Sequence, residues 1–95
     1  MNIATPAIVG IINYFSLSAD QFKKLSAQQL DILWYIYAYG SISPMEAFNE
    51  LGITKLATRI SEMRVLGIQF DQDYEGRTNR FGKKVRYMRY RKAAA

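Results

Sequence analysis

Hydrophobic positions recur with two different periods along the chain, and the change of period divides it. Ile8, Ile11, Ile12 and Phe15 fall at helical spacing. Thr5-Pro6 before them has the form of a cap followed by proline at the first helical position, so a short apolar helix is predicted over about 6–15. Leu17-Ser18-Ala19-Asp20-Gln21 is then echoed by Leu25-Ser26-Ala27-Gln28-Gln29. Each copy sets glutamine three residues after serine, the spacing of a capping box, so two successive helix starts are expected at Ser18 and Ser26.

From Ser26 the helical pattern strengthens. Leu30, Leu33, Trp34 and Tyr37 lie at i, i+3, i+4 and i+7, and Gly40 marks the stop. Trp34, Tyr37 and Tyr39 are read as core side chains of this helix. Ser43-Pro44-Met45-Glu46 combines a cap, a proline at the first helical position and a glutamate three residues after the cap. That second helix is short and ends at Leu51-Gly52. Thr54 is the expected cap of a third helix to about Leu66, with Leu56, Ala57, Ile60, Met63 and Arg64 on one stripe and Gly67 as its close. On that helix Ser61 is read as a small residue permitting close packing. Arg64 is expected to lie along Tyr74 or to pair with an acid of the preceding helix.

After Gly67 the period becomes two. Ile68, Phe70 and Tyr74 alternate with Gln69, Asp71 and Asp73, as in a half-buried strand. Gly76 and Gly82 bracket a polar loop, read as Glu75 to Lys84, and Val85 to Arg91 form a second β-rich run. Tyrosine and methionine occur on both faces of that run, which implies either a bulge or a second contact with the N-terminal segment or a partner subunit. The expected architecture is α+β and mainly α. A three-helix core and a C-terminal hairpin occupy 26–92, with an extra helical segment over 1–25.

Composition removes several functions from this scaffold. The chain has no cysteine and no histidine. Disulfides, thiolate metal sites and the commonest neutral-pH general base are therefore absent. No catalytic motif, metal site or cofactor is expected: Asp71 and Asp73 share a strand face, but a cation there would need further acidic ligands. The longest apolar stretch, Ile8 to Phe15, is less than half the ~20 residues of a membrane span.

Charge changes the picture more. Residues 1–50 carry Lys23 and Lys24 against Asp20, Asp31, Glu46 and Glu50, a balance of −2, and the rest of the net +5 places +7 on residues 51–95. From Arg77 to Lys92 there are eight cations and no acid. A one-sided basic field concentrates polyanions. Asp71 and Asp73 are expected to pair across the hairpin with Arg86, Arg89 or Arg91 and to neutralise part of that field, leaving the loop to supply most of the binding charge.

Specific segments carry a resemblance as well. Gly40-Ser41-Ile42-Ser43-Pro44-Met45-Glu46-Ala47, Leu51-Gly52-Ile53, Leu56-Ala57-Thr58-Arg59-Ile60-Ser61-Glu62-Met63-Arg64, Gly67-Ile68 and Arg89-Tyr90-Arg91 are similar to a family of small winged helix-turn-helix domains of phages and prophages. The similarity covers about 26–91. It implies a winged-helix fold, binding of double-stranded DNA, and a cytoplasmic place in a bacterial or phage-infected cell.

The residues themselves supply candidate contacts. On the third helix Thr54, Lys55, Thr58, Arg59 and Glu62 lie away from the core stripe, as groove recognition requires. Arg59 is the leading candidate, with Glu62 either reading cytosine or holding Arg59 through an i, i+3 pair. On the wing, Arg77, Arg80, Lys83, Lys84 and Arg86 are candidates for the phosphate backbone or a minor groove. Two roles are compatible with these surfaces: a DNA-binding regulator or excisionase-like architectural factor, or a module that docks on a host nucleic-acid-binding protein. An RNA-binding winged helix fits less well, for want of a single-strand stacking array. The unexplained apolar residues Ile8, Ile11, Ile12 and Phe15 are expected to serve a homodimer or another docking contact.

Overall fold

All three serine capping boxes form. In the computed structural model, which describes residues 3–94, Ser18, Ser26 and Ser43 each accept a hydrogen bond from the backbone N–H three residues on. The Gln21, Gln29 and Glu46 side chains return the bond to the serine N–H. These caps open α2 (Ala19–Lys23), α3 (Ala27–Tyr39) and α4 (Pro44–Leu51). They are preceded by α1 (Thr5–Phe15) and followed by α5 (Leu56–Val65), β1 (Phe70–Thr78) and β2 (Lys84–Lys92).

Two expected caps are corrected. Helix α1 is capped by Ala4, with no side-chain bond, so Thr5 is already helical. Helix α5 is capped by Lys55 rather than Thr54, again without a side-chain bond, and its first helical bond runs from Arg59 N–H to Lys55 C=O. Ile53 and Leu56 are both buried, and anchoring these two side chains leaves Thr54 outside the helix, where its hydroxyl caps nothing. Between α4 and α5, Gly52 turns the chain with φ 69°, a conformation costly for a residue with a Cβ.

The core runs through every long element. Ile11 of α1, Ile32, Leu33 and Ile36 of α3, Ile42, Ile53, and Ile60 and Met63 of α5 are essentially solvent-free. Phe70 and Tyr90 close it from the hairpin. Ile42 adds a one-residue rung to the sheet by exchanging backbone bonds of 2.9 Å with Tyr90. This ties the α3–α4 link to the base of the wing.

The N-terminal segment belongs to this packing. Ile11 has 0% exposure, and Ile12, Tyr14, Phe15, Phe22 and Leu25 pack against the core. Ile8 is half-buried. The face expected to meet a second subunit is therefore turned inward onto α3. Gly10 permits the close approach, because a Cβ there would lie 2.3 Å from the Tyr37 hydroxyl.

Several placements on α3 and α5 differ from expectation. Tyr35, rather than Tyr39, is the buried tyrosine of α3; Tyr39 is 66% exposed, while Tyr37 is 39% exposed and packs against Gly10 and Tyr14 of α1. Tyr39 is the last residue of α3 and meets the Trp34 ring edge-on and the Tyr35 ring at a tilt. On α5 the buried stripe is Leu56, Ile60 and Met63, while Ala57 and Ser61 are exposed. Arg64 forms no ion pair among the described residues. Its guanidinium donates to the Phe70 carbonyl at 3.2 Å and Gln72 at 3.1 Å, bracing the base of the wing.

The wing is longer than the sequence pattern implies. β1 and β2 pair antiparallel without a bulge, from Phe70 opposite Lys92 to Thr78 opposite Lys84, so the loop shrinks to 79–83. Nine residues per strand span roughly 30 Å, and the molecule is accordingly elongated, 47 Å in its longest dimension. Both faces of β2 meet the body at the base. On one, Tyr90 enters the core and Lys92 reaches over the Tyr14 ring of α1, 5.0 Å from its centroid; on the other, Arg89 reaches Glu46 of α4.

Candidate nucleic-acid interface

Helix α5 exposes the side opposite its buried stripe of Leu56, Ile60 and Met63. On α5 that side carries Thr58, Ser61 and Val65, flanked by Ala57 and Glu62, with Thr54 and Lys55 just before the first turn. It is mostly small and uncharged, and Val65 is 87% exposed. Small side chains let a helix backbone approach a groove closely, and methyl groups of alanine, threonine and valine match the thymine methyl.

Arg59 occupies a different position. It borders the core stripe, its side chain is only 28% exposed, and its Nε lies 3.4 Å from a Glu62 carboxylate oxygen. The same oxygen accepts a 3.0 Å hydrogen bond from the Gln29 side-chain amide on α3. Of the two roles weighed for Glu62, the i, i+3 pair with Arg59 is present in the unbound chain.

Two glutamines that the sequence reading placed only in helix caps also hold α5 in place. Gln29 uses its carbonyl to cap α3 and its amide to hold Glu62. Gln21 uses its carbonyl to cap α2 and its amide to donate to Leu66 C=O at 3.0 Å, satisfying an orphan acceptor at the end of α5. The serine–glutamine near-repeat therefore builds two clamps on one helix. The repeat signals the caps, but the amide nitrogens' partners lie 33 and 45 residues away and leave no local trace.

The hairpin sorts its cations into bound and free. Asp71, Asp73, Glu75 and Arg77 share a face with Val85, Tyr87, Arg89 and Arg91. On it Arg91 pairs with Asp73 at 3.1 Å and Arg77 with Glu75 at 3.3 Å. Asp71 pairs with no arginine; its carboxylate accepts from the Ala94 N–H at 3.0 Å. Arg89 is the keystone. It donates to both carboxylate oxygens of Glu46 at 3.0 and 3.1 Å, to the Ser41 hydroxyl at 3.0 Å, and to Glu75. Burial works to raise the Glu46 carboxyl, but Arg89 and the Ser43 N–H outweigh it and hold the group below its ordinary value. Hydrogen bonding to Arg89 likewise depresses Glu75. The guanidinium is thus locked between α4 and the wing and is no free contact.

Arg80, Lys83, Lys84 and Arg86 pair with no carboxylate among the described residues, and neither does Lys55. Arg80 and Lys83 lie in the loop, Lys84 opens β2, and Arg86 lies over the Tyr74 ring, 4.4 Å from its centroid. Arg77, expected in the loop, is on β1 and neutralised. The turn itself is braced: the Asn79 side-chain oxygen accepts from the N–H of Phe81 and of Lys83, and Gly82 turns with φ 79°.

The family model for the winged helix-turn-helix domain matches residues 27–92. The chain belongs to that family. In winged helix-turn-helix terms, α3, α4 and α5 are the three-helix core, α5 stands at the position of the recognition helix and the β1–β2 hairpin at that of the wing, in a family of DNA-binding domains. The segment holding α1 and α2 lies outside the matched residues. No curated protein matches the chain at a significant level, and no solved structure does so either. Among the described residues no helix is long and apolar enough to cross a membrane.

Proposed function

We propose that this protein binds double-stranded DNA with a sequence preference, as a phage-type transcriptional regulator or an excisionase-like architectural factor in the bacterial cytoplasm. One observation carries the proposal: Asp73 and Glu75 of the hairpin, with Glu46 of α4, neutralise Arg77, Arg89 and Arg91, whereas Arg80, Lys83, Lys84 and Arg86 are uncompensated on the distal wing. Those four cations supply phosphate attraction. Thr58, with Lys55 at the helix start and Arg59 released from Glu62 on binding, supplies groove contacts. The role involves no catalytic step. Ile11 of α1 is used within the chain, so a homodimer through this segment would have to form on what remains accessible of Ile8, Ile12 and Phe15.

Selection from a random duplex pool tests the proposal. A preferred site should emerge that is bound at least ~10³-fold more tightly than bulk duplex at moderate salt. Replacing Lys55 and Arg59 by alanine should erode that preference. A chain that enriches no sequence would refute the specific function. Docking on a host protein through the same wing, the competing role, predicts no enrichment together with capture of a nucleic-acid-binding partner.

A further inference from the structure

The apex of the wing is aromatic. Phe81 sits between the free cations Arg80 and Lys83 with 74% of its surface exposed. The wing carries no acid from Arg77 to its end at Lys92. The Arg80 guanidinium lies over the Phe81 ring, 5.0 Å from its centroid. The residue is not carried on a floppy loop. Asn79 N–H donates to Lys83 C=O at 2.8 Å, Gly82 N–H donates to Asn79 C=O at 3.0 Å, and Phe81 N–H is fixed on the Asn79 side chain. A turn braced by four hydrogen bonds thus holds a large apolar ring at the end of a rigid hairpin, away from the core.

We infer that Phe81 is a wedge that the wing inserts between adjacent base pairs in the minor groove of bound DNA, bending the duplex. The inference rests on the DNA-binding function proposed above. Charge decides the class of partner. A ring framed by Arg80, Lys83, Lys84 and Arg86 is suited to a polyanion, and the cations meet phosphates on either side while the ring meets base faces. A minor groove only ~6 Å wide admits one side chain at the tip of a ribbon more readily than it admits a helix. Apolar wedges so placed unstack a base step and kink the duplex by roughly 20–90°. Flexible pyrimidine–purine steps yield most easily, so the wedge also confers a preference at a position that no hydrogen bond reads.

The test is energy transfer between dyes at the two ends of a duplex of about 30 base pairs. Duplexes with and without a central TA step are bound by the full chain, by Phe81→Ala and by Phe81→Leu. The native chain should bend the TA duplex by at least ~20°. Phe81→Ala should keep the native salt dependence, because its phosphate contacts remain, but leave the duplex straight and lose the TA preference. Phe81→Leu, still a wedge, should retain the bend. The ring packs into no core, so both variants should melt as the native chain does. Native bending by Phe81→Ala, or native binding without bending, would overturn the wedge and leave DNA binding intact. Loss of affinity for single strands but not of duplex bending would mark Phe81 as a stacking platform instead, which also overturns it. A native chain that binds no duplex removes the proposed function and the wedge together.

Discussion

Replacing Gln29 with glutamate isolates the clamp that holds the recognition helix. The new side chain keeps an oxygen for the Ser26 N–H, so the cap of α3 survives. What disappears is the amide that donates to Glu62 at 3.0 Å, and in its place a second carboxylate faces the first. Hydrogen bonds to charged groups contribute ~1.5–3 kcal/mol. The Glu62 side chain is 43% exposed, so solvent screens much of the added repulsion and the lower end applies, about 1.5 kcal/mol. For a domain of this size that is a fall in melting temperature of roughly 6–12 °C. Urea unfolding at neutral pH reads the loss directly. The reciprocal exchange, Gln29→Glu with Glu62→Gln, restores a donor facing an acceptor and should recover most of it. If Gln29→Glu unfolds within ~0.5 kcal/mol of the native chain, or the exchange recovers nothing, the glutamine clamp contributes no stability and the argument for it fails.

Other perturbations address the rest of the molecule. Arg89→Gln should cost ~2 kcal/mol through the lost Glu46 fork, while leaving the salt dependence of DNA binding unchanged; a shallower salt slope would make Arg89 a phosphate contact instead. Ile11→Ala empties a fully buried site and should cost ~2–4 kcal/mol in a single cooperative transition. A cost below ~1 kcal/mol or two transitions would show that α1 is peripheral to the fold. Because Glu46 and Glu75 are both depressed from an ordinary value of 4.5, their contribution is complete above that value and is lost as pH falls through their lower folded values. Stability measured from pH 6 downward should therefore decline below about pH 4.5, with a shallower decline for Glu46→Gln; an unaltered pH profile in that variant would count against the Arg89–Glu46 lock.

Legibility in the sequence followed the range of the interaction. Serine caps act over three residues, and all three boxes were readable, as were the glycine stops at Gly40 and Gly52 and the order of helices and hairpin. Thr5 and Thr54 had the right residue type for caps, but burial of Ile53 and Leu56 set the start of α5 one residue later. The wing was read as too short because Glu75 and Arg77 look like loop residues, whereas pairing opposite Tyr87 and Val85 makes them strand. Least legible was which cations are free. Asp73 and Arg91 are diagonal partners, and Arg89 reaches a glutamate 43 residues earlier in the chain; neither follows from charge counting. The apolar face of α1 was visible, but its partner α3 was not, since any apolar surface would have matched it equally well.

Duplex affinity as a function of salt gives the most direct test of the functional proposal. It should be measured for the native chain, for a variant with Arg80, Lys83, Lys84 and Arg86 replaced by alanine, and for one with Arg77 and Arg91 replaced. The native chain should bind with log affinity falling linearly in log salt, at roughly −0.9 per phosphate contacted. Removing the four free cations should flatten the slope by up to ~3.6, and removing the two paired ones should barely change it. A native chain with no salt-dependent binding, or equal flattening by the two variants, would contradict the division of the wing into free and neutralised charge.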